Sequence, residues 1–241
     1  MAGQPGPQRH PAPVPRVPLF GDSVPAEQYR EPVGMKLSAT SDTDPRAVPL
    51  EMTDPAASMA VHELWKHLDG DTRGHLVRVG QLAYDLAGHI GLTAEDRADS
   101  GLAGLLHDIG KLWIPHEIVA KAAPLSFAER QLMRSHPEMG ALWLEAVLGA
   151  GVIDAIRHHH ERMDGRGYPH GVLAGKLPTA CRLVAVVDAY DAITSDRPYA
   201  LARSPGEACR ELRSVAGLQL HPELVEGLID LERRRLGARA A

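Results

Sequence analysis

From about Pro55 onward, apolar residues recur at spacings of three and four, and apolar–polar alternation is scarce. That spacing traces one face of an α-helix. It predicts helices over Ala56–Leu68 and over Arg73–Ile90, the second with Leu76, Val79, Leu82, Ala83 and Leu86 along one stripe. A third opens at Thr93, a suitable N-cap, and runs through Leu102, Leu105, Leu106 and His107. Ser126-x-x-Glu129 has the form of a capping box and opens another helix. Further helices are predicted over 137–147, 152–160, 178–194, 205–216 and 222–236, with Pro137, Pro205 and Pro222 suited to a first helical position. The pattern lapses over Asp164–Leu177, which holds four glycines and is the largest predicted loop. The expectation is one all-α domain over 56–241, without internal repeats.

The first 55 residues differ. They hold eleven of the 19 prolines in the 241-residue chain. Proline removes a backbone donor and disfavours helix in the residue before it. Residues 1–55 are therefore expected to form a flexible, extended arm. The chain is 44% hydrophobic, enough for a proper core, so wholesale disorder is excluded. A net charge of −5 argues against a binder of nucleic acid polymers. No run of 18 apolar residues occurs, so no membrane span is expected, and the start lacks a signal peptide's apolar stretch. A cytoplasmic location is the resulting expectation.

Two cysteines, Cys181 and Cys209, exclude a disulfide scaffold and a cysteine-based zinc site, whereas the histidines number 13. A metal bound here would be held by imidazole and carboxylate, which suits iron(II) or manganese. His75 has Asp71 four residues before it, on the same helix face. His107 and Asp108 are adjacent, so their side chains diverge by about 100° on a helix and the pair can serve two ions. His136 precedes Pro137, and His158-His159-His160-Glu161 precedes the glycine loop. Asp188 follows the apolar run Leu183–Val187 and, if buried, needs a partner. His62, His67, His89, His116, His170 and His221 are each best taken as ordinary core or surface residues. Two ions held a few Å apart can bridge a hydroxide and clamp a phosphate.

Four stretches carry a family resemblance. They are His75-Leu-Val-Arg-Val79, His107-Asp-Ile-Gly-Lys111, His159-His-Glu-Arg-Met-Asp-Gly-Arg-Gly-Tyr-Pro169 and Asp188-Ala-Tyr-Asp-Ala-Ile-Thr-Ser-Asp-Arg-Pro-Tyr199. Over about 60–230 the chain resembles the HD-GYP branch of the HD superfamily of metal-dependent phosphohydrolases. The resemblance implies an HD-domain helical bundle with additional C-terminal helices. It implies hydrolysis of cyclic di-GMP to linear pGpG or GMP, and two or three divalent ions, commonly iron or manganese. By matching position the ligands would be His75, His107, Asp108, His136, His159, His160 and Asp188, with Asp108 bridging. Asp71 stands where three-metal members carry Glu, and its shorter reach leaves a third ion open. Lys111 and Arg197 match phosphate-contacting residues, and Gly167, Tyr168 and Pro169 form the signature loop.

Glu161 is expected to orient a ligand histidine, and Asp191 to cap or pair within its own helix turn. Tyr168 could stack on a guanine base or pack on a partner protein. The alternatives are hydrolysis of another cyclic dinucleotide or nucleotide, and a non-catalytic module that binds GGDEF-type partners. A homodimer is a further option for the Arg-rich end of the chain.

Overall fold

The computed structural model describes residues 35–37, 50–52, 54–196 and 201–240. The arm expected over 1–55 lies largely outside these residues, and Arg197 lies outside them entirely. From Pro55 onward the described residues form an all-α fold. The helices are α1 (Pro55–Trp65), α2 (Gly70–His89), α3 (Ala94–Leu106), α4 (His116–Val119), α5 (Phe127–Met133), α6 (His136–Leu144), α7 (Ala150–His158), α8 (Thr179–Thr194), α9 (Pro205–Val215) and α10 (Pro222–Ala240). Two 3-10 turns, Ile109–Trp113 and Ala174–Lys176, lie between them. A short antiparallel pair, β1 (Met35–Leu37) and β2 (Leu50–Met52), aligns Met35 with Met52. Each strand is apolar–polar–apolar, but three residues are too few for periodicity to reveal.

The expected start signals operate. Thr93 accepts a hydrogen bond from the Asp96 N–H, and both halves of the Ser126–Glu129 capping box form. A second box, Ser204–Glu207, opens α9. Each satisfies backbone donors that a helix start leaves unpaired.

Two apolar clusters share α2. Leu76 joins Leu105, Leu106, Ile109, Leu144 and Ile156 in the first. Val79, Ala83 and Leu86 join Leu183, Val187, Leu212, Leu228 and Ile229 in the second, which ties the C-terminal helices to α2 and α8. The stripe at three and four spacing on α2 is thus wide enough to serve both.

Several helices end earlier than the periodicity predicts. α1 stops at Trp65, α3 at Leu106, α6 at Leu144 and α7 at His158. His107 and His159 stand just past the ends of α3 and α7, and the helix expected to continue to His160 breaks off there.

One surface carboxyl opposes folding. The Asp99 side chain, half-buried on α3, has no hydrogen bond or ion pair among the described residues. Burial, then Glu95 and Asp96, push its pKa up to about 6. A folded pKa above the unfolded value contributes stability at low pH that is lost as pH rises through about 6. Asp99→Asn should therefore gain stability over the parent between pH 4 and pH 8. Thermal melts across that range check it, and a difference independent of pH counts against it.

Candidate metal centre

The buried polar or charged residues among those described are Ser100, His107, Asp108, His136, His159, Glu161 and Asp191. Burying such groups is costly unless each has a partner. All but Ser100 and Glu161 belong to one place, where α2, α3, α6, α7 and α8 meet.

Three histidines are held in the same way. The Nδ1–H of His107 donates to Gly104 O at 2.8 Å, that of His136 to Met133 O at 2.7 Å and that of His159 to Ile156 O at 2.7 Å. Each acceptor is the carbonyl three residues back, one of those a helix end leaves unpaired. A carbonyl only accepts, so Nδ1 carries the proton and Nε2 presents a lone pair. This is the arrangement of a metal-ligating histidine whose other nitrogen is anchored.

His75 is anchored from another helix. Its Nδ1 lies 2.8 Å from Asp191 Oδ2 on α8. The Arg78 fork closes on the same carboxylate, with Nε 2.6 Å from Oδ1 and Nη2 2.9 Å from Oδ2. Burial opposes the charge on Asp191, but the hydrogen bonds from His75 and Arg78 outweigh it and lower its pKa to about 2.

The free nitrogens converge on Asp108. His136 Nε2 lies 3.1 Å from Asp108 Oδ1, and His107 Nε2 and His75 Nε2 lie 3.5 and 3.8 Å from Oδ2. Asp188 Oδ1 is 3.4 Å from His75 Nε2 and 3.7 Å from His107 Nε2. Two donor groups result: Asp108, His136, His159 and His160, and His75, His107 and Asp108, with donor atoms in each within 4.8 Å of one another. Asp108 is common to both. His107 Nε2 and Asp108 Oδ1 are buried without a hydrogen-bond partner. Inward lone pairs, a shared carboxylate and two orphaned polar atoms fit divalent cations with nitrogen and oxygen ligands.

The electrostatics agree at His159 and His160, whereas at His107 burial is outweighed by the carboxylates of Asp108 and Asp188, which raise its pKa. Burial and the neighbouring His136 pull the His160 imidazole down to about 3, and burial with His160 holds His159 well below its usual value. Both therefore remain neutral, as ligation requires. Burial raises Asp108, but Lys111 and His107 outweigh it and hold the carboxyl well below the usual range.

Lys111 Nζ donates to Asp108 Oδ2 at 2.5 Å. An open cleft of about 990 Å³ runs past the centre, lined by Asp71, His75, Arg78, Lys111, His160 and Asp188 among others. Its size is at the upper end for small-molecule sites. Asp71 is on the cleft wall but in neither donor group.

In the signature loop, the Tyr168 ring stacks on His160 at 4.6 Å, and Pro169 follows through a cis peptide. A Cβ on Gly167 would meet the Glu161 Cα and His160 O, both at 2.5 Å, so only glycine fits. Glu161 does not orient a ligand histidine. Its Oε1 accepts from the His170 and Gly171 N–H groups at 2.7 and 3.0 Å. The buried carboxylate therefore fixes the far end of the glycine loop, because that end offers two unpaired backbone donors.

Asp191 also departs from its expected role, since its partners come from α2. A signal existed. Arg78 follows His75 by three residues, and Asp191 follows Asp188 by three, so each pair shares a helix face. Asp191→Ala should weaken metal binding by about 10–100-fold, the usual cost of losing a carboxylate that orients a ligand. Titration with Mn(II) followed calorimetrically checks it, with unchanged affinity the contrary result.

Residues 56–224 match the HD domain family. The chain belongs to the HD domain family. Among its relatives, a cyclic di-GMP phosphodiesterase of Pseudomonas aeruginosa is 39% identical over 187 residues, covering 71% of this chain and 45% of that protein. A cyclic di-GMP phosphodiesterase of Thermotoga maritima is 36% identical over 174 residues, covering 70% and 47%. A 3′3′-cGAMP-specific phosphodiesterase of Vibrio cholerae is 35% identical over 140 residues, covering 58% and 32%. The chain thus spans less than half the length of these relatives. Among solved structures, an HDG"Y"P protein from Bdellovibrio bacteriovorus superimposes with a TM-score of 0.57 at 22% identity, covering 74% of this chain and 57% of that one, which supports the HD fold. No helix among the described residues is long and apolar enough to cross a membrane.

Proposed function

We propose that this HD domain is a metal-dependent phosphodiesterase that hydrolyses cyclic di-GMP to linear pGpG or GMP. The observation that carries the reading is the single carboxylate, Asp108, shared by two donor groups beside an open cleft. His75, His107 and Asp188 would hold one ion and His136, His159 and His160 the other, with Asp108 common to both. When bound, divalent ions, iron or manganese by donor chemistry, supply Lewis acidity and lower the pKa of a water towards about 7.

The remaining work falls to side chains. Lys111 sets its ammonium where phosphoryl charge develops and stabilises that charge. Asp191 and Arg78 hold the His75 ring in place, and three backbone carbonyls do the same for His107, His136 and His159. Arg197 keeps the phosphate-binding role that the resemblance implies. Two ions are proposed, one for each donor group.

Cyclic di-GMP is preferred as substrate because the more similar relatives above carry that name, and the Vibrio protein makes cGAMP the competing substrate. The test is anaerobic purification with Fe(II) or Mn(II), then chromatography of cyclic di-GMP and 3′3′-cGAMP digests. Absence of turnover with every metal and both substrates overturns the reading. Capture of a GGDEF-type protein without turnover would favour the non-catalytic alternative.

A further inference from the structure

Arg134 ends α5, two residues before the ligand His136. Its guanidinium lies 5.3 Å from the centre of the Tyr168 ring, and that ring stacks on His160 at 4.6 Å. The side chain is exposed and has no carboxylate partner among the described residues. An arginine over an aromatic face keeps its charge and its fork of donors while losing mobility. Among the described residues, Lys111 and Arg78 each have a carboxylate partner, Asp108 and Asp191 respectively. Arg134 thus meets the metal donors through one aromatic ring, Tyr168, and belongs to neither donor group.

We infer that Arg134, steadied by Tyr168, binds the second phosphate of a cyclic dinucleotide while the first is hydrolysed at the shared carboxylate. The inference rests on the phosphodiesterase reading and adds to it a reason for selectivity. A substrate with a single phosphodiester leaves Arg134 without a ligand. Arg134 and Tyr168 stand outside the cleft lining, next to its wall residue His160, so a cyclic dinucleotide that extends past His160 gains the charge-assisted contact.

The test compares the parent with Arg134→Ala and Arg134→Lys, each loaded with Mn(II). Two substrates are used: cyclic di-GMP and bis(p-nitrophenyl) phosphate, which has one phosphodiester. Arg134→Ala should raise KM for cyclic di-GMP by about tenfold relative to KM for the single diester, the size expected for one charged hydrogen bond. Arg134→Lys should recover part of this, because lysine keeps the charge but not the fork. Calorimetric binding of the phosphorothioate analogue of cyclic di-GMP, which is read without turnover, should weaken in parallel. Arg233→Ala removes the same charge from α10 and should change neither constant.

Equal losses on both substrates, or unchanged analogue binding by Arg134→Ala, overturn the inference while leaving the phosphodiesterase reading in place. If the parent hydrolyses no cyclic dinucleotide yet binds the analogue through Arg134, the activity reading fails and the binding role stands. If the parent neither binds nor cleaves a cyclic dinucleotide, both fail.

Discussion

Asp108→Ala is expected to abolish phosphodiesterase activity, with a loss of at least about a thousandfold, and to remove metal from both halves of the centre. The size follows from the several kcal/mol that metal-assisted charge stabilisation supplies, since about 4 kcal/mol corresponds to a thousandfold in rate. No other side chain among the described residues belongs to both donor groups. Loss of His160 would impair one group, whereas loss of Asp108 impairs two. The fold should survive. Asp108 lies past the end of α3, and its oxygens contact histidines and Lys111 rather than any helix-forming backbone. Elemental analysis and far-ultraviolet circular dichroism on one sample check both halves of the prediction. Retained stoichiometry of two metals per chain would refute Asp108 as the shared ligand, and lost helicity would refute the separation of site from fold.

Gly110→Ala is expected to produce the largest loss of stability of any single methyl addition near the site. A Cβ at Gly110 would stand 1.9 Å from His136 O and 2.7 Å from Gly140 N. Both are backbone atoms of α6, so no side-chain rotation relieves the overlap. The 3-10 turn after Asp108 must move away from α6, or α6 must move with His136. A cost of about 3 kcal/mol or more is expected, at the upper end for overpacking. For a domain of this size that lowers Tm by roughly 10 °C. Thermal and urea melts of metal-free protein measure it, with Gly237→Ala, in open space on α10, as a comparison that should be neutral or slightly stabilising. A change within about 0.5 kcal/mol, the range of ordinary surface substitutions, would show that α6 is not anchored there.

Much of this molecule can be read from local pattern. The spacing of Leu76, Val79, Ala83 and Leu86 is enough for α2, and Ser126 with Glu129 is enough for the start of α5. A helix face and a capping box are set by residues three or four apart, and neighbours in sequence suffice to specify them. The donor types are equally legible, since two cysteines against 13 histidines leave imidazole and carboxylate as the ligands. The motif at 107–111 also names the shared carboxylate, though only through resemblance.

Partners far apart in sequence are another matter. Glu161 was expected to serve a histidine and instead holds the His170 and Gly171 amides. Asp191 was expected to pair within its own turn and instead joins His75 and Arg78, more than 100 residues away. Which face of α8 meets which face of α2 depends on two apolar clusters packing at once, and no local spacing encodes it.

By itself, then, the sequence determined a helical domain, the starts of most helices and a nitrogen–oxygen donor set, because each depends on residues within a turn or two of one another. Only the tertiary structure decided that three histidines spend their Nδ1 protons on helix-terminal carbonyls and turn Nε2 inward. Only it decided that Asp108 falls between two groups, and that Arg134 stands beyond Tyr168. The reason is geometric. A helix places its own side chains, but a site built from five helices exists only after their packing has fixed where they meet.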